Sequence, residues 1–304
     1  MKIRHERILF AVTLASLCAL APSTTQAQDK LTFDSALTLA SADAPSSSGG
    51  AEAGQESQEA ELAKKLQNPV ANLISAPLQN NWDFGIGPAD AMKYTCNIQP
   101  VVPISISKDW NLIIRTIMPV IYQEALSNAT NAPASVGKSH SGLGDITQSF
   151  FFSPKEPVGG WILGAGPVGY YPTATDSALG AGKWGAGPTV VALQQKNGFT
   201  YGILANHIWS YAGWGSQNVN ATFLQPFVSY TTKTYTTFSI NTESTRDWQT
   251  DQWSVPVNFT VQQLVKIGKQ PIAFQMGYRY YADGPSGGPD WGLRFTVTFL
   301  FPKK

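Results

Sequence analysis

Charge is the scarcest commodity in this chain. Asp, Glu, Lys and Arg make up 13% of the 304 residues, about half of the roughly 25% found in an ordinary soluble domain. From position 197 to 232 there is none at all. A surface that faces water usually carries more.

Long apolar runs are missing too, once the first two dozen residues are passed. The uncharged span 158–175 holds five glycines and two prolines, whereas a membrane helix needs about 20 mainly apolar residues. The span 197–232 is broken by Asn206, Gln217, Asn218, Asn220 and Gln225. Helical membrane passage is therefore excluded after the N-terminus, and a closed barrel is the remaining way to satisfy every backbone hydrogen bond in lipid.

Cysteine is nearly absent. Cys18 lies in an export-type leader, with a basic opening (Met1 to Arg7), an apolar stretch from Ile8 to Ala21 and small residues at Thr25-Gln-Ala27. Leu17 before Cys18 is too large for a lipoprotein signal. Cleavage after residue 27 leaves Cys96 alone, so no intramolecular disulfide can form. Losing Lys2, Arg4, Arg7 and Glu6 takes the basic residues from 21 to 18 and the acidic from 20 to 19, a net charge of −1. Nothing in that balance points to nucleic acid.

What is abundant is aromatic residues and glycine: 9 Trp, 11 Tyr, 15 Phe and 27 Gly. Residues 28–69 stand apart, rich in Ser, Ala, Gly and Glu, with Ser46-Ser-Ser-Gly-Gly50 reading as a flexible linker. Glu56 to Gln67 can form a short amphipathic helix with Leu62 and Leu66 on one side. The segment is either a flexible tail or a helix that sits in or under a barrel.

Residues 70–304 contain twelve strand-like runs, at 72–85, 93–107, 111–124, 142–153, 159–172, 184–195, 199–212, 220–232, 235–242, 252–265, 271–282 and 291–301. The last shows the pattern best, with Leu293, Phe295, Val297, Phe299 and Phe301 alternating with Arg294, Thr296 and Thr298. Period-two alternation gives a strand two different faces. Tight, lysine-bearing turns follow the even-numbered strands, and most links after the odd-numbered strands are longer: 125–141, 173–183, 213–219, 243–251 and 283–290. This is the parity of an antiparallel outer-membrane β-barrel with short periplasmic turns, longer external loops and both termini periplasmic. A soluble β-sandwich has no need of it. Prolines inside the runs, such as Pro100, Pro119 and Pro256, each remove a ladder bond and fit either architecture poorly.

The runs Glu61-Leu-Ala-Lys-Lys-Leu-Gln-Asn-Pro69, Asn80-Asn-Trp-Asp-Phe-Gly-Ile-Gly-Pro88 and Ser149-Phe-Phe-Phe-Ser-Pro-Lys155, with the closing strand, resemble outer-membrane transporters grouped as the "meta-pathway of phenol degradation" family. The resemblance spans residues 61–304. It implies a Gram-negative outer-membrane channel for passive passage of small, hydrophobic or aromatic solutes, with outer-membrane lipid and the barrel-assembly machinery as partners. The phenol label is a family name and not a substrate.

Alternation turns Asp83, Lys93, Arg279 and Arg294 to the inner face near the external rim, turns Asn97 inward as well, and places Gln99, Arg115 and Gln275 lower down. These eight are the pore-lining candidates. Asp83 is expected to pair with Arg294 or Lys93 across the closing seam, because like charges side by side need a counter-ion.

No cofactor or metal is expected. Gly164-Ala-Gly-Pro-Val-Gly169 matches a nucleotide fingerprint by letter, but Tyr170 and Tyr171 follow where a helix should begin. The mature histidines, His140 and His207, lack a nucleophile motif. An outer-membrane hydrolase and a non-conducting structural barrel remain the alternatives to a channel.

Overall fold

The computed structural model describes residues 49–127 and 133–302. The leader, residues 28–48 and most of the linker expected at 46–50 lie outside them. Helix α1 (Gly49–Leu66) is followed by the strands. They are β1 (Ile74–Ile86), β2 (Ala91–Ile98, then Val101–Ser105), β3 (Trp110–Gln123), β4 (His140–Leu143, then Ile146–Pro154), β5 (Ile162–Tyr171) and β6 (Lys183–Lys196). The remainder are β7 (Phe199–Gly213), β8 (Asn220–Thr231), β9 (Thr236–Thr242, then Ser244–Asp247), β10 (Gln252–Ile267), β11 (Gln270–Asp283) and β12 (Trp291–Phe301). A one-turn helix α2 (Ala134–Gly137) lies between β3 and β4.

Each strand pairs antiparallel with its sequence neighbours, and β12 closes on β1 in the register Ile74↔Phe301 to Phe84↔Trp291. The result is a closed twelve-stranded barrel. Closure removes both sheet edges, so no row of backbone donors is left without a ladder.

Burial is inverted relative to a soluble protein. Arg279 and Arg294 are 7% and 5% exposed, whereas Met276 and Phe259 are 66% and 47% exposed. The outward residues Val102, Ile104, Val190, Ile203, Ile240 and Val261 form an apolar belt. Trp110, Trp161, Phe199, Tyr230 and Phe301 ring the short-turn end, and Trp184, Trp209, Tyr211, Trp248 and Tyr280 the other. Two aromatic girdles around an apolar band are the outer surface of a lipid-embedded barrel. Cys96 lies on that outer face beside Asn80, whose amide is satisfied by the Phe295 carbonyl and the Tyr94 hydroxyl.

Two of the prolines sit where the ladder already breaks. Pro100 occupies the gap between the two parts of β2, and its carbonyl accepts from Thr116 N–H. Pro256 stands at the register shift between β10 and β11, where Ala282 is the extra residue, and its carbonyl accepts from Glu243 N–H. A bulge leaves a residue unpaired, so a missing donor there costs little.

Two boundaries differ from the sequence reading. Gly49 and Gly50 begin α1 and do not form linker; the first helical N–H groups lack partners in any case. Strand β9 runs to Asp247 and not to 242, so its link shrinks to 248–251 and is short. Register is unchanged on either side of Glu243, so the strand is continuous; it reads as ended because the apolar alternation gives way to the polar run Asn241 to Asp247.

Candidate functional site: the barrel interior

The lumen has three levels. At the short-turn end, the last turn of α1 and the strap that follows it fill the barrel. Ala63, Ala71 and Leu73 pack with Leu264, Ala273 and Leu300, and Leu62 and Leu66 lean on the same cluster. Gln195 Nε2 donates to the Lys64 carbonyl at 2.8 Å, tying the helix to the β6–β7 turn.

After α1 the chain turns inward. Asn68 accepts Val70 N–H on its Oδ1 at 2.9 Å and Ala71 N–H on its carbonyl at 3.1 Å. The turn directs Val70 into a second apolar cluster of Ile113, Phe151, Val191, Leu193 and Leu204. Ile113, Phe151 and Leu193 are fully buried. A Cβ on Gly164 would stand 3.3 Å from Val70 and 2.9 Å from Val191, so this glycine makes room for the strap. Burying Val70 contributes about 1.5–3 kcal/mol to holding it.

Above the strap lies a cavity of about 230 Å³, lined among others by Gln99, Arg115, Gln225, Asn241 and Gln275. Arg115 Nη2 donates to Gln99 Oε1 at 3.0 Å, and Gln99 Nε2 in turn to Gln79 Oε1 at 3.2 Å. Gln275 bonds Thr260 and Thr296 at 3.2 Å each.

The third level is a lattice of charge across the closing seam. Arg294 donates two hydrogen bonds to the Glu243 carboxylate, at 2.9 and 2.7 Å. Asn81 Oδ1 accepts from both Arg294 Nε, at 2.7 Å, and Arg279 Nη1, at 2.8 Å. Arg279 Nε stands 3.5 Å from Asp83 Oδ1, and its Nη2 is 3.8 Å from Glu243 Oε2. In the β11–β12 ladder Arg279 faces Gly292 and Arg294 faces Gly277, so the two cations are never directly opposite. A Cβ on Gly292 would meet Asp83 Oδ1 at 2.6 Å, and only glycine leaves the space.

Beyond the lattice is a cavity of about 400 Å³ whose walls include Asp83, Lys93, Asn97, Glu243, Arg279 and Tyr281. Seven of the eight candidates thus line one of the two cavities, and Arg294 lies in the lattice. The expected pairing of Asp83 with Arg294 or Lys93 is corrected. Arg294 is held by Glu243, Asp83 faces Arg279, and Lys93, opposite Asp83 in the ladder, has no carboxylate within 4 Å among the described residues. Glu243 and Asn81 were missed. Continuing the phase of Phe238, Ile240 and Thr242 outward would have turned Glu243 inward.

The histidines belong to none of the three levels. His140 Nδ1 lies 2.8 Å from Asp176 Oδ2 in the outer loops, and that hydrogen bond holds the Asp176 carboxyl below its ordinary range. His207 faces outward against Thr222 and Trp209, while its neighbour Asn206 lies on the opposite face of the strand. Asp145 is occupied by the Tyr170 hydroxyl at 2.8 Å and by the Ala174 and Ala181 N–H groups. Gly164 to Gly169 lie within β5, in a strand with no helix after it.

No family model matches the chain, and no curated protein matches it in sequence. Among solved structures, an outer-membrane channel from Pseudomonas putida F1 is similar in fold, with a TM-score of 0.57, 14% identity, and 76% of this chain and 96% of that one covered. The NanC porin (TM-score 0.47, 12% identity, 75% and 100% covered) and the β domain of the Bordetella autotransporter BrkA (0.40, 11%, 74% and 98%) overlap more loosely. The first of these likenesses carries the fold: this chain is built as an outer-membrane-type β-barrel.

Proposed function

We propose that this protein is an outer-membrane channel for passive passage of small solutes, exported by its N-terminal leader and closed at its periplasmic end by α1 and the strap. The observation that carries the reading is a polar, charged interior wrapped in an apolar belt, with two solvent-sized cavities stacked above an apolar stopper. Buried arginines are costly to desolvate, and here they border space within the lumen as well as joining the seam. The eight candidates Asp83, Lys93, Asn97, Gln99, Arg115, Gln275, Arg279 and Arg294 are its pore lining. Selection follows from width and inward charge.

The lattice lies in the outer half of the lumen, and the short lysine-bearing turns face the periplasm. The resemblance to the phenol meta-pathway family supports a transport role and leaves the solute open. The arrangement around His140, His207 and Asp145 is structural, which speaks against hydrolysis. One observation favours the second reading, a non-conducting barrel: Ile113, Phe151 and Leu193 leave no exposed surface at the stopper.

Swelling of liposomes in small sugars and amino acids separates the two readings. With the mature chain, entry is slow; with residues 28–71 removed, which takes away both α1 and Val70, it is faster and falls with solute size. Folded protein that swells no faster than empty liposomes in either form contradicts the channel.

A further inference from the structure

Charge around the two cavities does not cancel. In the lattice, Glu243 answers Arg294 and Asp83 answers Arg279. Two inward cations are left over. Lys93, on the wall of the outer cavity, has no hydrogen bond or carboxylate within 4 Å among the described residues, and Arg115, on the wall of the inner one, is held by the neutral amide of Gln99. Lys65, also at the inner cavity, is already paired with Glu61 at 2.6 Å. Each cavity therefore carries one cation in excess.

The walls around those cations are donor-rich. Thr95, Asn97, Gln123 and Tyr281 border the outer cavity, where Arg279 Nε and Asp83 Oδ1 face each other at 3.5 Å, too far for a hydrogen bond. Gln225, Asn241 and Gln262 border the inner one. Asp83 and Glu243 also face the outer cavity, but each has an arginine beside it. Both side chains are half-buried and lack a close carboxylate, so each cation is only partly compensated, and a small anion would relieve both.

We propose that the two cavities are successive binding sites for a small organic carboxylate, held first by Lys93 and then by Arg115. Two weak sites in series let an anion enter and leave, as conduction requires. The order of sites rests on the channel reading; binding itself does not.

The test is saturation-transfer NMR on the folded mature chain in detergent, with propionate as the probe and propionamide, its neutral analogue, as the control. Propionate gives a signal and propionamide little. Lys93→Gln with Arg115→Gln weakens propionate binding by about tenfold or more, the loss of charge-assisted contacts, and Lys93→Arg with wild-type Arg115 retains it. Heat-dependent gel mobility checks that each variant is folded. Equal signals from the two probes, or an unchanged propionate signal in the folded double variant, overturns the proposal. In planar bilayers across a salt gradient the reversal potential should favour anions and lose that bias in the double variant. Propionate binding without any conductance sinks the channel reading and leaves the sites standing; conductance with no anion bias and no binding does the reverse.

Discussion

The two sides of the inner wall follow different rules. From β3 to β7 the interior is built in part like a soluble core, with Ile113, Phe151, Val191, Leu193 and Leu204 closely packed and glycine where the strap must approach. From β9 through the seam to β2 it is built like an ion-pair network, with Asn81, Asp83, Glu243, Arg279 and Arg294 holding one another. One side is apolar and receives the N-terminal strap; the other is polar and shapes the cavities. The first is stabilised by area removed from water, which is tolerant of small shifts. The second depends on geometry, since an unpaired buried charge is heavily penalised.

That contrast ranks the mutations. Glu243→Gln takes the shared carboxylate from two buried arginines and should cost about 3–5 kcal/mol of barrel stability, read from urea unfolding in detergent or lipid. Glu243→Leu with Arg294→Met should regain part of it, whereas Asp83→Asn with an unaltered Glu243 should cost less, because the 3.5 Å contact to Arg279 is the looser one. No recovery in the double variant would break the assigned pairing.

On the apolar side, Leu193→Ala should cost about 2–5 kcal/mol by leaving a cavity, with no dependence on salt. A comparable loss that grew with ionic strength would mean that the two sides are not separate in kind. The smallest effect belongs to the outer loops. Asp176→Asn should leave global stability unchanged and loosen the 172–182 loop, seen as faster hydrogen exchange. In the native protein the same loosening should set in with acid. Asp176 has a lowered pKa in the fold, so its bond to His140 is fully present above the ordinary carboxylate range and is lost as pH falls through the lowered value. Acid-independent exchange in that loop would remove the link.

The barrel was legible because alternation and link parity are one-dimensional signals, and each candidate's face follows from counting by two. Partner choice was not. Arg294 and Glu243 are joined through β9, which reads as ended one residue before its carboxylate because the outward residues there stop being apolar while the register runs on unchanged. The strap was beyond counting altogether. Val70 follows a short turn that Asn68 stabilises, and its destination is set by a cavity that exists only once the barrel closes. Gly164 was visible as part of a misleading glycine motif; its use is the space it leaves for Val70.

The measurement that bears most directly on the account is single-channel conductance of the refolded mature chain beside Val70→Asp in a planar bilayer. A carboxylate among Ile113, Phe151 and Leu193 should expel the strap without disturbing the seam. The mature chain should be closed for most of the record, and the folded variant should show long-lived open steps. A folded variant as silent as the mature chain, or a mature chain as open as the variant, would contradict it.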